Sequence, residues 1–177
     1  MFLFRLVYYS RNHVTKLQQS VAKEIRSILD ACMRNNPPAN ITGALVFNDQ
    51  YFAQILEGDR SAVTSMFCKI IKDPRHSEIV MLKAEPTNQR MFLDWSMAYA
   101  GHSESIDKIY MKHAVTIGLS PARMTAESLT SFIADLVTSD ARVVHTQNAA
   151  TAPAGATGGM DKGPPPSSSK MALKTAN

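Results

Sequence analysis

The sequence predicts an α+β fold, an antiparallel sheet with two helices on one face, and three observations carry that prediction. Apolar residues recur with a period of two or of about four in the order β-α-β-β-α-β, with a fifth short β segment after it. Turn signals rich in Asn, Pro, Asp and Gly separate the segments. The strands carry apolar residues on both faces, so a second layer must cover the side away from the two helices. This order is the ferredoxin-like arrangement with an added strand.

The first strand spans residues 2–10. Its alternation puts Phe4, Leu6 and Tyr8 on one face and Arg5 on the other, so Tyr8 is an inward phenol that needs a hydrogen-bond partner. Ser20 to Arg34 follows as a helix, with Val21, Ile25, Ile28, Leu29, Cys32 and Met33 as its stripe. Asn35-Asn36-Pro37-Pro38 stops it, because proline disfavours the helical state of its predecessor and cannot donate. Ile41 to Phe47 is the second strand, Asn48-Asp49-Gln50 a hairpin turn, and Tyr51 to Glu57 the third strand. Gly58-Asp59-Arg60-Ser61 opens the second helix, with Asp59 or Ser61 as its cap and Val63, Met66, Phe67, Ile70 and Ile71 as its stripe. Asp73-Pro74-Arg75-His76 ends it. Glu78 to Ala84 and Trp95 to Tyr99 are the fourth and fifth strands.

The third strand raises a chemical question. Phe52, Gln54 and Leu56 share one face, and Phe and Leu mark it as a core face. A buried amide without partners costs about 1–3 kcal/mol, so Gln54 either braces the backbone or holds a polar ligand. On the opposite face Leu3, Val7 and Ile55 need cover. Residues 104–113, a short helix begun at Ser120-Pro121, and the stripe Ala126, Leu129, Phe132, Ile133, Leu136 and Val137 are the segments available to supply it. The expected organisation is one domain over 1–100, a helical extension over 101–140 and a disordered tail over 141–177, rich in Ala, Thr, Gly, Pro and Ser.

Charge argues against nucleic acid as a partner. Of the 19 basic and 15 acidic residues, four basic and one acidic lie from Ala141 onward, which leaves 15 and 14 in the folded part. The two cysteines, Cys32 and Cys68, stand in helical stripes with no CxxC, as buried thiols do in a reducing compartment, so a cytoplasmic location is expected. No apolar run reaches the roughly 20 residues of a membrane span. No histidine pair has metal-ligand spacing, neither Ser10 nor Ser61 has a His/Asp arrangement beside it, and there is no P-loop or GxGxxG. Neither a metal nor an enzyme activity is expected.

Six short motifs in order carry a family resemblance: Arg5-Leu6-Val7-Tyr8; Arg34-Asn35-Asn36-Pro37; Ile41-Thr42-Gly43-Ala44-Leu45; Phe52-Ala53-Gln54-Ile55-Leu56-Glu57-Gly58; Asp73-Pro74-Arg75-His76; and Trp95-Ser96-Met97. Together they resemble the BLUF domain, a bacterial blue-light sensor that uses flavin, over about residues 2–100. The resemblance implies FAD bound non-covalently between the two helices, and with no phosphate cradle in the sequence FMN or riboflavin is expected to substitute. It implies Tyr8 as the electron and proton donor and Gln54 as the amide whose rearranged hydrogen bond gives a reversible red-shifted state. It implies Asn35 and Asn36 on the polar edge of the ring, Ile28 and Ile70 on its two faces, Lys69 and Arg75 as cations near the ring or phosphates, and Trp95 and Met97 as the signal relay.

With no output domain in the sequence, a short stand-alone member is expected to act through contact with other proteins: a homo-oligomer, dimer or larger ring, and a separate partner. By family analogy that partner is a cyclic-di-GMP phosphodiesterase or a transcription regulator. Two rival readings are a ferredoxin-like RNA-recognition module, which the apolar outer face disfavours, and a degenerate, flavin-free interaction module, which the intact set of pocket residues disfavours.

Overall fold

A computed structural model describes residues 3–17, 20–101, 103–113, 118–139 and 144–146. The elements in order are β1 (Leu3–Asn12), α1 (Val21–Asn35), β2 (Thr42–Phe47), β3 (Tyr51–Asp59), α2 (Arg60–Ile71), β4 (His76–Pro86), β5 (Trp95–Tyr99), α3 (Glu104–Lys112), α4 (Ala126–Ser139) and β6 (Val144–Thr146). The sheet order is β4-β1-β3-β2-β5-β6. β3 lies antiparallel between β1 and β2, β4 is antiparallel to β1, and β5 runs parallel to β2. This is the expected ferredoxin-like arrangement with its added strand, extended by β6, which pairs antiparallel with β5.

The two sheet faces carry two separate apolar layers. Leu6, Tyr8, Leu45, Phe52, Leu56, Trp95 and Met97 face α1 and α2, meeting Ile28, Val63 and Phe67. Val7, Ala44, Val46, Ala53, Ile55 and Ala98 face the other way and are covered by Ile106 and Ile109 of α3 and by Leu129, Phe132, Ile133 and Leu136 of α4. The later helices thus supply the cover that the apolar outer face demanded.

Local chemistry sets the boundaries. Ser20 caps α1, its hydroxyl accepting from the Lys23 amide, and Asp59 caps α2 through the Ser61 amide. β3 extends through Gly58 and Asp59, which pair with Phe4 and Leu3, so the expected helix start at Gly58 moves to Arg60. β4 begins at His76, opposite Asn12, rather than at Glu78, because β1 also runs on to Asn12. Glu78 sits within it at φ 46°, an irregularity beside the register shift between Tyr9 and Arg11. Pro121 takes the first position of a short 3-10 turn, as its ring geometry favours. The tail expected from 141 lies outside the described residues, apart from Val144–Thr146, which form β6 instead. No helix among the described residues is long and apolar enough to cross a membrane.

Gly43 is required where it stands. At φ 145° a Cβ there would lie 2.0 Å from the Ile55 carbonyl oxygen and 3.3 Å from the Trp95 ring. Only glycine lets β2 approach β3 beneath that indole. Gly43→Ala should therefore lower stability by more than about 1 kcal/mol, read as a reduced urea midpoint at unchanged m-value. An unshifted midpoint would show that the backbone yields at no cost.

Candidate functional site

Gln54 occupies the middle of the sheet, opposite Tyr8 on β1 and Leu45 on β2. The Tyr8 hydroxyl donates to Gln54 Oε1 in a buried hydrogen bond. It is the one hydrogen bond that the Gln54 side chain makes among the described residues. Tyr8 is fully buried, with its ring 5.1 Å from that of Phe67. Burial pushes the phenol well above its ordinary pKa, and the neighbouring Cys32 and Asp73 push in the same direction. Tyr8 is therefore a protonated donor at neutral pH, and Gln54 holds its carbonyl end toward Tyr8 with its NH2 end left over.

Gln54 also lines a cavity between α1 and α2 that encloses about 640 Å³ including its open mouth. Ile28, Cys32, Asn35 and Asn36 reach it from α1 and its C-cap, spaced so that they share one side of the helix. Met66, Lys69 and Ile70 reach it from α2, Leu45 from β2, and Asp73, Arg75 and His76 from the turn into β4. Seven of the residues singled out from the sequence thus converge: Ile28, Asn35, Asn36, Gln54, Lys69, Ile70 and Arg75. Tyr8 stands behind Gln54 rather than on the wall. Trp95 and Met97 are buried in the same apolar layer but do not line the cavity.

The polar groups divide into those already satisfied and those not. Asn36 is 2% exposed, and its Nδ2 has no hydrogen-bond partner among the described residues. Its amide weakly favours the Cys32 thiolate but makes no contact of hydrogen-bond geometry there. Asn36 is the C-cap of α1 through its backbone alone: its N–H donates to the Cys32 carbonyl and its carbonyl accepts from Ala39 and Ile41, so the side chain is not used in capping. A buried donor left open in this way asks for an acceptor from outside the chain. Arg75 is engaged: Nε donates to both Asp73 oxygens at 2.8 and 3.0 Å, Nη2 also bonds Asp73, and Nη1 lies 3.6 Å from Glu24 and 3.3 Å from Ser27 Oγ. Burial works against the Asp73 anion, but the Arg75 bonds outweigh it and lower its pKa. Lys69 is exposed at the mouth, where a wider cleft bordered by Leu17, Glu24, Lys72 and Pro74 opens beyond.

Six wall residues, Ala31, Cys32, Leu45, Met66, Asp73 and His76, had no site role in the sequence reading. Cys32 stands four residues from both Ile28 and Asn36, a helical spacing that places it with them; burial pushes its thiol up to about 12, so it is a neutral group there. Leu45 is the cross-strand neighbour of Gln54. Asp73 is drawn in as the partner of Arg75, and His76 is the first residue of β4. The His76 Nδ1 pairs with Ser10 Oγ at 2.8 Å, and its ring lies 4.5 Å from Phe52. Among the described residues, no group of three or more His, Cys, Asp and Glu side chains is placed to hold a metal ion.

The set fits a flat aromatic ligand with a polar edge. Isoleucines from two helices border the gap, amides stand at its inner end, and one buried amide donor is open. The comparisons agree with that description. A family model described as BLUF, sensors of blue-light using FAD, matches residues 3–98. The chain is 33% identical over 90 residues to the blue light- and temperature-regulated antirepressor BluF of Escherichia coli, covering 51% of this chain and 21% of that protein. It is 31% identical over 78 residues to the photoactivated adenylate cyclase subunit beta of Euglena longa, covering 44% of this chain and 9% of that one. Among solved structures, the photo-activated state of BlsA aligns with a TM-score of 0.68 at 27% identity, over 78% of this chain and 96% of that one. The chain thus spans about a tenth to a fifth of the length of these two curated relatives.

Burial pushes the His76 imidazole down to about 4 from its ordinary 6.5. As pH falls, the unfolded chain takes up this proton first. The stabilising contribution is therefore complete above about pH 6.5 and is lost as pH falls toward 4. Urea midpoints should drop across that window, and the drop should be smaller in His76→Gln. Equal slopes in the two proteins would assign the dependence to other groups.

Proposed function

The chain belongs to the BLUF family of blue-light sensors, a photosensor module rather than a catalytic one, and we propose that it is a photoreceptor holding FAD non-covalently in the cavity between α1 and α2. The observation that carries this is the Tyr8–Gln54 hydrogen bond on the inner wall of a cavity whose Asn36 amide lacks a partner. A bound flavin supplies the blue-light absorber and, once excited, a strong electron acceptor. The protein residues do the rest.

Ile28 and Ile70 hold the ring from its two sides. Asn36, with Asn35 beside it, meets the polar edge, where one amide can donate and accept at once. Lys69 and the Asp73-anchored Arg75 provide positive charge at the mouth. Tyr8 is protonated and buried next to Gln54, so it could lend an electron and then its proton to an excited flavin and take both back once the amide has turned. When the phenol lets go of Gln54 Oε1, the carboxamide loses the one hydrogen bond that fixes its orientation. It turns or changes tautomer and presents the other end of the amide to the cavity. A flavin held there would report the turned amide as a red shift without a covalent bond, and the original arrangement returns when the Tyr8 hydroxyl and Gln54 re-form their pair.

Trp95 and Met97, in the same apolar layer as Gln54, relay the change along β5. The extension beyond residue 100 receives it, with α3 and α4 packed on the outer face and β6 alongside β5. The output is altered contact with a separate cytoplasmic partner or with other copies of the chain, as a dimer or larger ring. A transcription regulator or a cyclic-di-GMP phosphodiesterase fits that role by analogy with the light-regulated relatives, one of which is an antirepressor.

The first test is an absorption spectrum of the purified protein in the dark and after blue light. A flavin band that shifts slightly red and relaxes in the dark is expected. A protein that stays colourless after flavin is added would favour the flavin-free interaction module. Tyr8→Phe should keep the flavin, lose the red shift, and lose about 1–3 kcal/mol of stability for the Gln54 carbonyl left unpaired. Gln54→Leu should bind flavin and show no shifted state, and a normal photocycle in that variant would end the hydrogen-bond switch. Flavin extracted from protein loaded with a FAD, FMN and riboflavin mixture should contain all three, whereas FAD alone would mean that the adenine end is firmly held.

A further inference from the structure

Two groups that the photochemistry does not use, the buried Glu57 and the half-buried Arg90, join parts of the fold that lie far apart in sequence. Glu57 is fully buried on β3 and points away from Gln54. Its carboxylate accepts from Arg5 Nε at 2.6 Å, from the Met91 amide at 2.9 Å and from the Phe92 amide at 3.0 Å. Arg90 reaches back from the same segment. Nη1 donates to Thr42 Oγ1 at 2.7 Å and to the Glu57 carbonyl at 2.8 Å, and Nη2 donates to the Asn40 carbonyl at 2.8 Å. Asn40, at φ 50°, belongs to the tight turn whose other end is Asn36, where the Asn36 carbonyl accepts from Ala39 and Ile41.

The guanidinium therefore grips the turn that ends in the cavity asparagine and, through Glu57, the segment that leads into Trp95. We infer that Arg90 is a positioning residue that fixes the head of β5 against the asparagine end of the cavity, with Glu57 holding the following two amides. The charge supports this geometry. Arg90 donates in three directions to oxygens on β2, β3 and the turn, which a flexible ammonium cannot do at once. Arg90 does not line the cavity, so its effect on a bound ligand runs through these two segments. The consequence for signalling rests on the photoreceptor reading above: a β5 clamped at its head moves against resistance, and the clamp sets part of the barrier to dark recovery.

The test uses the full-length, flavin-loaded protein and its Arg90→Ala, Arg90→Lys and Glu57→Gln variants. Amide hydrogen exchange is followed in the dark, and recovery is followed after blue light. In Arg90→Ala, exchange should rise at both Ala39/Ile41 and Met91/Phe92, the dark absorption band should stay in place, and recovery should speed up about tenfold, a fraction of what the three lost charge-assisted hydrogen bonds could supply because the clamp sets only part of the barrier. Arg90→Lys, which keeps the charge but not the fork, should fall between, and it carries the test if Arg90→Ala does not fold. Glu57→Gln should loosen Met91/Phe92 alone. Exchange in either Arg90 variant that rises only at Met91/Phe92 would overturn the link, as would recovery equal to that of the parent. A parent without any red shift would end the photoreceptor reading instead, and the exchange pattern, which needs no light, would still decide whether Arg90 joins the two segments.

Discussion

β3 is the strand on which the rest of the molecule depends. It lies antiparallel between β1 and β2, each of which carries residues of both apolar layers, and every residue from Tyr51 to Gly58 is buried. Such a strand has no solvent to satisfy its polar side chains. It nevertheless carries Gln54 on one face and Glu57 on the other. Each dictates the structure around it, and the two are satisfied in opposite ways. Glu57 collects an arginine and two backbone amides, so its carboxylate is held from several directions. Gln54 has Tyr8 alone. A charged group fully bonded in a buried site is costly to disturb. An amide with one partner among the described residues and a cavity beside it is held far less firmly. The firmly bonded carboxylate and the lightly held amide are thus consequences of one constraint, met by three partners on one side and one on the other among the described residues.

The cavity owes its position to the same two-layer logic. α1 and α2 pack over the inner face through Ile28, Val63 and Phe67, but between them the layer is incomplete above Gln54. The surrounding groups are arranged for a neutral ligand edge rather than an anion at depth. Cys32 and Tyr8 are kept protonated by burial, His76 is kept neutral, and the cations stand at the mouth. Arg75 is already balanced by Asp73 and Glu24, so the inner end is lined by hydrogen-bonding dipoles and little net charge. That is an environment in which moving one hydrogen bond alters the electronic surroundings of a chromophore more than it would in water.

Much of this was legible in the sequence because period-two alternation is unforgiving. Phe52, Gln54 and Leu56 on one side, with Ile55 on the other, fix which face Gln54 occupies, and the same rule brings Tyr8 opposite it. Helical spacing likewise placed Ile28 and Ile70. The misses have a common cause, since each depends on pairing between distant segments. His76 reads as part of a loop until β1 is seen to extend to Asn12 and draw β4 down with it. Val144–Thr146 is too short to announce a strand and exists only where β5 offers a free edge. Arg90 stands in an irregular segment with no periodicity at all, and nothing local says that its three acceptors will lie on β2, β3 and the turn after α1. Side chains that stitch separate elements together leave no trace in the pattern of any one of them.

The placement of Trp95 and Met97 shows why a sensor can be built this way. They line neither the cavity nor the surface, yet they belong to the apolar layer on the sheet face that also carries Gln54. β5 is parallel to β2 and linked to it by Ser96 opposite Ala44 and Met97 opposite Leu45, the residue that also flanks Gln54. A change in the amide is therefore felt by β5 through one intervening side chain, Leu45, in a close-packed layer that transmits displacement. On its other edge β5 meets β6, and on its other face Ala98 meets the layer of α3 and α4. The strand that neighbours Leu45 on one side thus touches the chain's later elements on the other. A displacement too small to unfold anything has a short, physically continuous route from the amide to the surface.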